Sequence, residues 1–295
     1  MRPAEFEEKD FEGPLYVQLL SGSINFATPG QVFEGQFGID AALMAWNLKF
    51  WTLFGYPKIP DGVILNHFRW GFIWRKIGKR RPLPNFSINV MIQAKRPDFL
   101  QGIRSYFAHY GISGSYWRFF IKPHQQTILE KISNVLRQRA LIVYASPAFD
   151  KFDELYAYTS SNAIVENTNF VRIRSLRDHN SWNYNSPGCR GVAETEPEEV
   201  NEGKFDSMLN ELLFEYHPDS SPEQEIASLF GNILNVSRDS FYDNAVARFF
   251  LKRYEKLKEI TSSLDLTNLE LLTQFVGVLI FCDSAGILWL PVPPN

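Results

Sequence analysis

One stretch, Pro123 to Tyr144, constrains the structural class more than any other part of the chain. Pro123 opens a helix, because the first turn has no partner for the N–H that proline lacks. His124–Arg139 then carries Ile128, Leu129, Ile132, Val135 and Leu136 on a stripe of 3.6-residue period. Leu141–Tyr144 follows at once and stops at Ser146-Pro147, the pattern of a strand buried on both faces. A helix feeding directly into a buried strand is half of an α/β unit, so a mixed sheet flanked by helices is expected.

Other elements extend this reading. Gly13–Ile24 suggests a short helix. Strands are expected at Phe37–Trp46, Val63–Ile73, Phe86–Ala94, Tyr116–Ile121 and Asn167–Arg177. Asn47–Gly62, interrupted by Pro57, Pro60 and Gly62, reads as a loop or hairpin connection. His179–Val200 is polar, holds Ser186-Pro187-Gly188 and a run of glutamates, and reads as a connecting segment. Helical patterns then take over at Phe205–Tyr216, Pro222–Leu234, Asn244–Ser262 and Leu266–Phe281. The basic residues of the third of these, Arg248, Lys252, Arg253, Lys256 and Lys258, are expected on a solvated face. The expected organisation is an α/β domain over residues 1–180 and an acidic, mainly helical region over 181–295.

Charge is distributed unevenly. Residues 1–140 carry a net +8 and residues 141–295 a net −11, making the overall −3. Two readings are open: the basic half faces a polyanion, or the halves neutralise each other across a shared interface. Two distant cysteines, Cys189 and Cys282, give neither a zinc pattern nor a disulfide framework. The acidic start, Met1 to Gly13, lacks the layout of a secretory signal. The longest apolar run, Phe275–Cys282, is far below the roughly 20 residues of a membrane span. A cytoplasmic protein is expected. Walker A loops, dinucleotide-binding glycine patterns and Gly-x-Ser-x-Gly elbows are absent from the sequence.

Two short pieces carry chemistry when taken together. Glu34-Gly35-Gln36-Phe37-Gly38-Ile39-Asp40 sets a carboxylate, a glycine turn and a second carboxylate at the entry to a strand. Ile92-Gln93-Ala94-Lys95-Arg96 ends the strongly apolar strand Phe86–Ala94. Alternate side chains of a strand share a face, so Gln93 and Lys95 project together while Ala94 enters the core. A lysine at the end of such a strand needs a partner, because an unpaired buried charge is costly.

This arrangement resembles the PD-(D/E)XK nuclease superfamily, in the Gln-x-Lys variant of Mrr-like restriction enzymes and related prokaryotic defence proteins. The resemblance implies a restriction-endonuclease-like α-β-β-β-α-β core over about residues 10–145, followed by the C-terminal helical region. It implies a catalytic set of Asp40, Glu34, Gln93 and Lys95. Asp40, Glu34 and the Gln93 amide oxygen would hold Mg²⁺ or Mn²⁺, whose preference is for oxygen ligands, and Lys95 would activate water or stabilise the phosphate in transit. Gln125, on the core face of the amphipathic helix, would be an accessory residue. Lys79, Arg80 and Arg81 in the basic turn, with Arg96 and Arg118, would contact a nucleic-acid backbone. The implied activity is endonucleolytic cleavage of DNA, plausible in restriction-type or anti-phage defence. The C-terminal region would then serve oligomer contacts or a regulatory protein. Two alternatives stay open: an inactive nuclease fold that binds nucleic acid or a protein, and a ribonuclease built on the same residues.

Overall fold

The computed structural model describes residues 1–21, 52–53, 88–102, 107–215, 220–262 and 269–292. The strands expected at 37–46 and 63–73, the connection at 47–62 and the basic turn at 75–81 lie outside these residues. The fold is mixed α/β, with two sheets and, among the described residues, seven α-helices. The contacts divide the chain into two compact units. Among the described residues, the first holds 1–21, 88–102, 107–215 and 286–292, and the second holds 52–53, 220–262 and 269–285.

The first unit is built on two sheets. Strands β1 (Arg2–Pro3), β2 (Ile88–Ala94), β3 (Asp98–Leu100), β4 (Tyr116–Phe120), β5 (Ala140–Pro147), β6 (Thr168–Arg172), β7 (Ser181–Tyr184), β8 (Arg190–Glu194), β9 (Glu198–Asn201) and β10 (Leu288–Val292) appear in chain order. The four-stranded sheet runs β10-β2-β5-β6, and the six-stranded sheet runs β1-β3-β4-β7-β8-β9. β2 and β5 are parallel neighbours, with Gln93 opposite Tyr144 and Ala94 opposite Ala145. β10 and β6 flank them antiparallel. Every residue of β2 and β5 is buried; the continuous apolar run Leu141–Tyr144 predicts this for β5, whereas β2 buries the polar Asn89 and Gln93 as well.

Period-two alternation sorts β2 and β5 between two faces. On one, Ile88, Val90, Ile92 and Ala94 join Leu141, Val143 and Ala145 in a core completed by helix α1 (Glu8–Ser21) and helix α4 (Phe205–Glu215). Phe11, Leu15 and Leu19 come from α1, and Met208, Leu209 and Leu212 from α4. The other face carries Gln93 and Tyr144 and meets helix α2 (Pro123–Leu136), which buries Gln126, Ile128, Leu129, Ile132 and Leu136. Val135, assigned to that stripe by spacing, is 44% exposed. Helix α3 (Phe152–Ser160) starts where the Glu154 carboxylate accepts the N–H of Lys151 at 3.1 Å.

The segment 179–200, read as a connection, instead takes part in three strands: β7 pairs with β4, β8 with β7 and β9 with β8. Its buried polar groups are paired: Asn183 donates to the carbonyl of Val192 at 3.1 Å, and the indole N–H of Trp182 donates to Asn169 at 2.8 Å. Gly191 is required because a Cβ there would collide with the Trp182 ring and the Asn183 carbonyl. Strands β7 to β10 all follow residue 180, where the sequence reading drew its boundary, and all four belong to sheets of the first unit.

The second unit contains helices α5 (Pro222–Asp239), α6 (Ala245–Thr261) and α7 (Leu269–Ala285). Ser221 caps α5, accepting from the Gln224 N–H at 3.3 Å while Gln224 accepts from the Ser221 N–H at 2.8 Å. Gly277 of α7 leaves room for the Phe230 ring. Arg253, expected on the solvated face of α6, is buried and donates to Asp283 at 2.7 Å and Ser284 at 3.0 Å. Arg248, Lys252 and Lys256 are exposed. Among the described residues no helix is long and apolar enough to cross a membrane.

Candidate active site

Lys95 is the residue around which the site is organised. It follows the last position of β2, is only 4% exposed, and is fastened to β5 through its backbone. Its N–H donates to the carbonyl of Ala145 at 2.8 Å, and its carbonyl accepts from Ser146 Oγ at 3.0 Å. The Tyr184 hydroxyl lies 2.7 Å from Ser146 Oγ and 2.8 Å from the carbonyl of Pro147. The backbone that carries the lysine is therefore pinned from β5, with Tyr184 of β7 behind it.

The ammonium group donates to Gln125 Oε1 at 3.2 Å and lies 5.1 Å from the centroid of the Tyr144 ring. Burial pushes its pKa down from 10.5 to about 8; the Glu8 carboxylate works against that shift and Lys122 adds to it. Burial likewise raises the Glu8 carboxyl, with Lys95 and Lys122 pulling it back. A lysine so placed remains a cation at neutral pH yet releases its proton far more readily than an exposed one.

Gln93 is 1% exposed and lies on the same face as Tyr144. Gly286, just before β10, forms a wall against both glutamines. A Cβ built on it would stand 3.3 Å from Gln125 Nε2 and 3.9 Å from Gln93 Nε2. Its φ of +64° is a second reason for glycine at this position.

Of the expected site residues, the structure thus brings Gln93, Lys95 and Gln125 together. Asp40, Glu34, Lys79, Arg80 and Arg81 lie outside the described residues. Arg96, expected to contact phosphate, donates from Nε to the carbonyl of Ala4 at 3.1 Å and pairs with Glu7 at 2.7 Å, holding the chain just ahead of α1. Arg118 is buried in the six-stranded sheet, donating to Asn183 at 2.7 Å and pairing with Glu194 at 3.1 Å. Both guanidinium groups act as cross-links within the fold. Among the described residues no three His, Cys, Asp or Glu side chains converge on a point that could hold a metal ion.

Glu8, Lys122, Tyr144 and Gly286 were not singled out by the sequence. Tyr144 had a signal, an ionisable ring in an otherwise aliphatic buried strand. The other three had none, because what joins them to Lys95 is the strand pairing and the docking of α1.

These features define a class: a mixed α/β protein with a buried lysine on a parallel strand pair, held by a glutamine of the crossover helix. Compared with known protein families, characterised proteins and solved structures, the chain matches none of them.

Proposed function

We propose that the chain is a divalent-metal-dependent endonuclease of the PD-(D/E)XK kind, acting on DNA. The observation that carries this reading is the placement of Lys95, a buried cation of lowered pKa on the same face as Gln93 and in contact with Gln125. The parallel β2–β5 pair with α2 against it is the part of the implied α-β-β-β-α-β order that supports this reading; β3 and β4 of the other sheet intervene before α2, and β10 takes the remaining edge of β2.

The residues present are compatible with a metal site without completing one. Gln93 offers a neutral amide oxygen, and the carboxylates assigned to the ion, Asp40 and Glu34, are not among the described residues. When bound, the ion would polarise a phosphate oxygen and lower the pKa of its water. The chain's own contribution is clearer. Lys95 Nζ provides a positive charge next to the scissile phosphate, where a buried setting strengthens its effect on developing negative charge. Gln125 fixes the direction of that group. The N-terminus of α2, beginning at Pro123, adds a positive helix-dipole end.

One further reading has specific support. Gln93 is neutral where a carboxylate would hold the ion more firmly, which favours a nuclease fold that binds nucleic acid or a partner protein without cutting. Incubating plasmid DNA and single-stranded RNA with Mg²⁺ or Mn²⁺ separates the cases. Cleavage is expected from the wild type and to fall about a hundredfold or more in Lys95→Ala, in line with losing a group that stabilises the transition state. Cleavage undiminished by that substitution refutes the site. Binding without cleavage selects the non-catalytic reading, and cleavage confined to RNA makes it a ribonuclease.

A further inference from the structure

We propose that Tyr144 is a positioning residue of this site, its ring face seating the Lys95 ammonium group and its hydroxyl fixing the ring through Gln126. This rests on Lys95 being the functional group, and it adds how the fold holds that group in place.

Register begins the case. Tyr144 stands opposite Gln93 in the parallel β2–β5 pair, so its side chain emerges on the α2 face beside the lysine two positions along. Lys95 Nζ is 5.1 Å from the ring centroid, inside the ~6 Å within which a ring face attracts a cation. The ring itself cannot swing away. It is fully buried, and its centroid lies 5.3 Å from that of Phe119. Its hydroxyl donates to Gln126 Oε1 at 2.6 Å, and Gln126 Nε2 donates to the carbonyl of Ile173 at 2.9 Å and to Glu130.

Two consecutive glutamines in the first turn of α2 therefore divide the work. Gln125 accepts from the ammonium, and Gln126 accepts from the phenol beneath it. A buried phenol costs stability unless its hydroxyl is paired, whereas an aliphatic side chain carries no such cost. What tyrosine supplies and leucine does not is a negative ring face that favours the charged amine, offsetting part of the penalty of burying it. The charged groups that act on the pair are Glu8 of α1, Lys122 ahead of α2, and Glu130 of α2, which faces the phenol.

The test reads Lys95 itself. In full-length protein labelled with ¹³C only at lysine, the Cε shift of Lys95, assigned by its absence from a Lys95→Met variant, is followed against pH. Tyr144→Leu is expected to move the midpoint down by about half to one pH unit, the loss of a partly desolvated ring–cation contact. Tyr144→Phe, which keeps the ring, should leave the midpoint nearly in place. If the leucine variant does not fold, Tyr144→Met removes the ring with an adaptable side chain and is expected to give the same downward shift. An unmoved Lys95 midpoint in a folded variant lacking the ring overturns the proposal. Because no substrate is involved, a shifted midpoint in a protein that cuts nothing would sink the nuclease reading alone.

Discussion

Replacing Lys95 with methionine should make the protein more stable while abolishing whatever Lys95 does. The magnitude follows from the buried amine. Its pKa is about 8 in the folded chain against 10.5 when freely solvated. Carrying the charge into the fold therefore costs about 3 kcal/mol, taking about 1.4 kcal/mol for each pH unit. The sign follows from proton binding. Below pH 8 both states hold the proton, and the full cost is present. Between about 8 and 10.5 the unfolded chain binds more protons than the folded one, so wild-type stability rises with pH and the cost disappears. Methionine has no such dependence and occupies similar volume. Urea unfolding of both proteins should show the variant more stable by about 3 kcal/mol at pH 7, with the gap closing by pH 10.5. Exposing Gln125 to a neutral neighbour returns part of that gain, because an amide oxygen loses its donor. A variant that is less stable at pH 7, or whose advantage does not shrink with rising pH, would refute the claim that Lys95 sits in the fold as a strained cation.

Two further outcomes follow from the geometry. Arg118→Met should destabilise by about 3 kcal/mol, because it strands Glu194 and Asn183 in the sheet, and should leave unchanged the salt dependence of any nucleic-acid binding; a flattened slope would restore Arg118 as a phosphate contact. Gly286→Ala should cost about 1–2 kcal/mol from its positive φ and also displace the Lys95 resonance by crowding Gln125; Gly188→Ala, at φ +106° with nothing within 4 Å, should show the first effect in thermal unfolding without the second.

How much was legible in the sequence depends on what kind of signal each element carried. β2, α2, β5 and the four C-terminal helices were readable, because continuous apolar runs and 3.6-residue stripes reflect burial directly. The facing of Gln93 and Lys95 away from Ala94 was readable from strand alternation alone. β7 to β9 were not, because Ser181 and Asn183 are buried through hydrogen bonds, and hydropathy reads a satisfied asparagine as a surface residue. Arg118 and Arg253 misled for the same reason: a paired guanidinium in a core looks, in sequence, like one in solvent. Glu8 is brought near Lys95 by Arg96, which grips Ala4 and Glu7, a link between residues some ninety positions apart that no local pattern announces.

The strand that carries Gln93 has one of its edges closed by residues almost at the opposite end of the chain. Leu288–Val292 pair along the whole of Ile88–Ile92, and Trp289 Nε1 donates to Asn89 across 200 positions. During synthesis, that edge stays without its neighbour until the ribosome has released nearly everything printed between them. A polypeptide stalled anywhere in that interval leaves the lysine on a strand that is at best half-paired, with Gly286 not yet made.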